Sequence, residues 1–171
     1  MEGIQLIEEK VKSFLQDTEH YQDEKINFKY KINIKDYLNQ IDNILSNEYK
    51  TDVRKQRDVI TVLENLNFKN TEIVDALSEK LNQIENSIAI LNVKLHNVYI
   101  KKWDSKNSDI LEGIEIMIGS LNEQINEQYQ YRNNIIGDIP IFQDIYLETE
   151  RTLQDITDVK ITTTASAAFP K

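Results

Sequence analysis

Residues 74–98 read VDALSEKLNQIENSIAILNVKLHNV, and Val74, Leu77, Leu81, Ile84, Ile88, Leu91, Leu95 and Val98 follow one another in alternating steps of three and four without a miss. Such steps return each side chain to one face of an α-helix, and a stripe this narrow is the seam of a coiled coil. Backwards, the same register passes through Val53, Gln56, Ile60, Leu63, Asn67 and Asn70. Two asparagines thus occupy core positions, where a polar residue selects register at some cost in stability. The spacing predicts a helix over 52–102.

A second helix is expected over 2–48. Ile4, Ile7, Val11, Phe14, Tyr21, Phe28 and Ile32 form its first stripe, with Thr18 and Lys25 at the intervening core positions. A second stripe, including Ile34, Tyr37, Leu38, Ile41, Ile44 and Leu45, takes over further round the helix. At the handover Ile26, Phe28, Tyr30, Ile32 and Ile34 alternate with polar residues, a pattern that also fits a half-buried strand. Helix is preferred, because both flanks are helical and the only other β-branched stretch is DVKITTT at 158–164.

A third helix is expected over 108–158. Its core positions are Leu111, Ile114, Ile118, Leu121, Ile125, Gln128, Arg132 and Ile135, and beyond Gly137 and Pro140 the register resumes with Phe142, Tyr146, Thr149, Leu153 and Ile156. Proline removes one helical hydrogen bond, so a kink or restart is expected near Gly137–Pro140. The linkers, Asn47–Thr51 and Trp103–Ser108, are short and rich in capping residues. Thr51 or Asp52 is the expected cap of the second helix, and Ser108 or Asp109 the start of the third.

Short linkers favour antiparallel neighbours. The expected fold is therefore all-α: an elongated antiparallel three-helix bundle or coiled coil, forming one domain over 1–160, with a flexible tail over 161–171. Folding the hairpins about their linkers sets Asn70 beside Pro140 and Asn67 beside Ile32, which predicts an irregular waist at mid-length.

Composition narrows the function. Of 171 residues, four are glycine, two proline and none cysteine, which favours helix over sheet and excludes disulfides, thiolate metal sites and a cysteine nucleophile. A reducing, cytoplasmic setting fits. The net charge of −9 opposes general affinity for nucleic acid or anionic membranes. No basic leader or apolar run of about 18 residues occurs, so a soluble chain is expected.

His20 and His96, the only histidines, are isolated from any nucleophile at helical spacing, and no metal-binding or phosphate-loop motif occurs. No enzyme activity, cofactor, metal or small-molecule substrate is expected. Gly113 and Gly119 lie in an apolar helix, and the basic clusters Lys50, Arg54, Lys55, Arg57 and Lys25, Lys29, Lys31, Lys35 read as solvated faces. The best candidate surface is apolar. Ile90, Val93, Ile100 and Trp103, with Ile116 and Met117, lie off the seams around the second linker, and a helix apolar on several faces is buried on several faces. These six are the candidate partner contacts, by self-association or by docking another subunit.

Ile118, Leu121, Ile125, Gln128 and Ile135, with Glu127 before the glutamine, resemble the SNARE motif of membrane fusion, whose apolar layers flank a central glutamine. The pattern departs at Arg132 and Pro140, and the function of that family is not carried over. The sequence points to a structural adaptor subunit of an intracellular assembly, cytoskeletal, chromosome-segregating or vesicle-trafficking, acting by coiled-coil packing. The alternatives are a membrane-curving or SNARE-like trafficking protein and a helical bacterial or viral chaperone or effector.

Overall fold

A computed structural model describes residues 3–18 and 34–161. The alternating patch at 26–33, His20, Lys25, Lys29, Lys31 and all of the expected tail but its first residue lie outside the described residues. Within them the chain is all-helical, with no strand: α1 (Gly3–Thr18), α2 (Ile34–Leu45), α3 (Asp52–Asp104) and α4 (Ser108–Thr157). These helices fall into two compact units, Met1–Val74 with Pro140–Lys171, and Asp75–Ile139.

Four helices share the core of the first unit. Ile7, Val11 and Phe14 of α1 cluster with Ile34, Leu38 and Ile41 of α2, with Val59 to Leu66 of α3, and with Ile145 and Ile156 of α4. The first helix expected over 2–48 is thus two helices that fold back on each other. One straight helix would separate residues 8 and 46 by roughly 57 Å at 1.5 Å per residue, yet Glu8 and Ser46 line the same groove. Both stripes read from the sequence are nonetheless the buried faces where the chain is described. The change of stripe marks two helices, each with its own face.

Burial along α3 reports its surroundings. In the first unit it buries Val59, Val62, Leu63, Leu66, Asn67, Asn70 and Ile73, two adjacent stripes rather than the single one expected, because three other helices pack around it. In the second unit Leu77, Ile84, Ile88 and Val98 are buried while Leu81, Leu91 and Leu95 are only half covered. A lone partner helix shields one side of a seam and leaves its margins wet. The same contrast shifts the core of α4, where Ile145 and Thr152 are buried and the expected Tyr146 is exposed. Helix α4 runs on through Pro140 without restarting.

Caps and close contacts fix the ends. The Arg54 amide donates to Thr51 Oγ1 at 3.2 Å, as expected of an N-cap. At the second linker the cap is Asn107, whose Oδ1 accepts from the Asp109 amide at 3.0 Å, so Ser108 is already helical. The Gln56 side chain donates to the carbonyls of Ile156 and Val159 at 2.9 and 2.7 Å, tying the end of α4 and the chain just beyond it to α3. Gly3 passes so near the chain beyond α4 that a Cβ would stand 2.9 Å from the Lys160 carbonyl oxygen.

The asparagines are buried as their spacing requires, but Asn70 lies one heptad from its expected level, while Ile32, expected beside Asn67, lies outside the described residues. Asn67 Nδ2 donates to Glu150, which sets Asn70 level with Leu147 instead of Pro140. Asn70 is fully buried, and neither polar atom of its side chain has a partner among the described residues.

Candidate interaction surface

The second unit consists of two helices and the three-residue linker Ser105–Asn107. Its seam carries Val98, Ile114 and Leu121, with Leu91, Leu95 and Ile118 packed against them. Two ion pairs set an antiparallel register: Lys102 meets Glu115 at 3.2 Å and, 17 residues further from the linker on both helices, Glu85 meets Arg132 at 3.4 Å. Lys101 and Lys102 stand in the last turn of α3 and Asp109 in the first turn of α4, each opposite in sign to the helix end it occupies.

All six expected contact residues are exposed, from 41% for Ile100 to 74% for Trp103. Val93 and Ile100, two turns apart, face away from the seam of α3, and Ile116 faces away from that of α4. Met117 flanks the α4 seam. Trp103 belongs to the helix and not to the linker, and its ring centroid lies 6.5 Å from that of Tyr99. Ile110, also exposed, joins this set. The signal for it was its apolar side chain beside the seam position Leu111. Phe68 and Leu147 are further exposed apolar residues in the first unit.

This exposure has a structural cause. A helix unbroken over 2–48 could have run along both later helices and covered their outer faces. Helices α1 and α2 instead belong wholly to the first unit, so among the described residues the hairpin contains only α3 and α4.

The other candidates fare differently. His96 is exposed on α3, and no three acidic or histidine side chains gather as a metal site among the described residues. Lys50 pairs with Asp58, whose carboxyl is held below the usual range of carboxylates by that hydrogen bond, then by the positive charges of Lys50, Arg54 and Arg57, against a partial desolvation. Gln128 and Arg132 are half-buried, and Arg132 is turned to Glu85 rather than lining an apolar layer. No helix of the described residues is long and apolar enough to cross a membrane. No protein family matches the chain, and no curated protein or solved structure matches it either.

Proposed function

We propose that this protein is a non-enzymatic, cytoplasmic interaction subunit that joins a larger assembly through helical packing, with the hairpin of Asp75–Ile139 as its docking element. The observation that supports this reading is the set of large apolar side chains, Ile90, Val93, Ile100, Trp103, Ile116 and Met117, left exposed on a unit of two helices. Large apolar side chains left exposed in such number on so small a unit are costly in water and are ordinarily covered by a partner. In this reading the hairpin packs as an antiparallel coiled coil, the half-covered seam positions Leu81, Leu91 and Leu95 being completed by the partner's helices. A bend of α4 near Gly137–Pro140 belongs to it too, since Pro140 leaves the Ile136 carbonyl without its helical donor.

The test is recovery of the protein from its own cells under mild conditions, as wild type and with Val93→Asp and Ile116→Asp combined. Both positions face outward, so helicity by circular dichroism is expected to hold while the associated proteins are lost. The same associated proteins on both versions, or none on either, would refute the reading.

A further inference from the structure

Each helix of the hairpin has two flanks beside its seam. The ion pairs Lys102–Glu115 and Glu85–Arg132 both take their glutamate from the flank one residue past a buried isoleucine, Ile114 or Ile84. The opposite flank is the residue just before a seam position, which is Lys80, Lys94 and Lys101 on α3 and Ile110, Met117 and Tyr131 on α4. Like flanks of two antiparallel helices meet on one side of the pair, so these six residues share one long face, and all six are exposed. The register of the ion pairs sets Lys101 beside Met117, and Lys94 midway between Met117 and Tyr131.

Charge is sorted by face. Over 75–104 helix α3 has acidic and basic residues in equal number, yet its three lysines outside the seam all stand on this flank, while Asp75, Glu79 and Glu85 stand elsewhere. Among the described residues none of those three lysines has an ion pair; the cations of the hairpin that do are Lys102 and Arg132, at the seam. Of the acidic residues bordering the face, Glu127 accepts from the Tyr131 hydroxyl at 3.3 Å, Asp138 is buried, and Asp104 ends α3. Exposed Ile90, one turn before Lys94, widens the apolar surface, and Leu91 beside it is only half covered.

We infer that this face receives a third helix, from a partner protein, which lays an apolar stripe on Ile90, Ile110 and Met117 and points aspartate or glutamate at Lys80, Lys94 and Lys101. The inference rests on the proposed interaction role and gives the partner's chemistry. Spacing identifies a helix: the lysines and the apolar residues recur at multiples of seven, roughly 10.5 Å per heptad at 1.5 Å per residue. A partner helix repeats at that interval, whereas an extended strand returns a side chain to one face about every 6.8 Å. Charge identifies the sign, because charged residues flanking a seam set the choice of coiled-coil partner. The net charge of −9 disfavours an anionic lipid surface in its place. Backbone approach is open, since Gly113 and Ser120 stand one turn to either side of Met117 and a Cβ added at Gly113 would meet nothing within 4 Å.

The experiment titrates the full chain calorimetrically with two synthetic four-heptad peptides, leucine at both seam positions of each, one with glutamate and the other with lysine on both flanks. The acidic peptide is expected to bind about tenfold more tightly than the basic one or better, against the net charge of −9, and the preference to fade as salt rises. Lys80→Glu combined with Lys94→Glu and Lys101→Glu is expected to invert the preference, while the same reversal at the exposed Lys12, Lys35 and Lys69 leaves its direction unchanged. Met117→Asp is expected to weaken the acidic peptide without inverting the preference, and circular dichroism verifies the fold of each variant. No binding of the acidic peptide at about 100 µM, equal binding of both peptides, or a preference indifferent to the lysine reversal overturns the inference. So does a wild type found as a dimer, or held on phosphatidylserine vesicles, that the reversal releases, since the face then serves a second copy or a lipid. Where Val93→Asp with Ile116→Asp still strips the proteins recovered from cells, each of these results leaves the interaction role intact; indifference to that pair as well removes both.

Discussion

Replacing a fully buried core residue by alanine ordinarily destabilises a protein, yet Asn70→Ala is expected to stabilise this one. Asn70 is enclosed among α3 and its neighbours with both amide atoms unpartnered among the described residues, and leaving such a group unpaired costs about 1–3 kcal/mol. Alanine relieves that cost and gains about 0.5 kcal/mol of helix propensity. Against this stands a cavity of roughly 30 Å³, worth about 0.7 kcal/mol at ~24 cal/mol per Å³. The net expectation is a gain of about 1–3 kcal/mol, or a rise of roughly 2–10 °C in melting temperature for a chain of this length. Urea denaturation followed by far-ultraviolet ellipticity measures it, with an unchanged slope identifying the midpoint shift as stability. Leu66→Ala, on the same helix and equally buried, is the control and should lose about 2–5 kcal/mol. A loss for Asn70→Ala comparable to that of Leu66→Ala would refute the reasoning and show that the amide is satisfied in solution.

Gln56→Ala strips donors from the Ile156 and Val159 carbonyls and should cost about 1–3 kcal/mol in the same urea assay, with hydrogen exchange accelerating at the end of α4. Gly3→Ala presses a Cβ against the Lys160 carbonyl. It should destabilise the first unit by about 1–3 kcal/mol, whereas Gly113→Ala, on an open face, should be neutral or mildly stabilising. Asp58 has a folded pKa below the ordinary 3.8. Its pairing with Lys50 therefore adds stability in full above that value and loses it as pH falls through the lower, folded one; Asp58→Asn should flatten this part of an acid titration and leave neutral-pH helicity unchanged.

The helices were legible because their periodicity is local: a three-four alternation is read from consecutive residues, and the seam at 77–98 and the stripes of α1 and α2 lie where that pattern puts them. What escaped is the order in which helices meet. Nothing in Ile7, Val11 and Phe14 says whether they pack beside Val98 or beside Ile156, since any apolar stripe fits any other of similar width. The sequence did move from one stripe to the other near residue 26. A rotation of the buried face within one straight helix and a fold-back into two helices leave the same trace in periodicity, and only the tertiary contacts separate them.

That one choice also governs the candidate surface. Had the first segment been a single strut, the apolar residues off the seams would have been core, and a packing argument would have accounted for Ile90, Val93 and Ile116. Because α1 and α2 close the first unit instead, the same residues stand in water. The width of the buried face along α3 carries the distinction: two stripes from Val59 to Ile73, one from Leu77 to Val98. A helix surrounded by three others needs the wider face, and a helix with one neighbour needs only the seam. The additional apolar residues at Ile90, Val93 and Ile100 therefore exceed what the hairpin itself consumes, and that surplus is the reason to read the hairpin as the docking element.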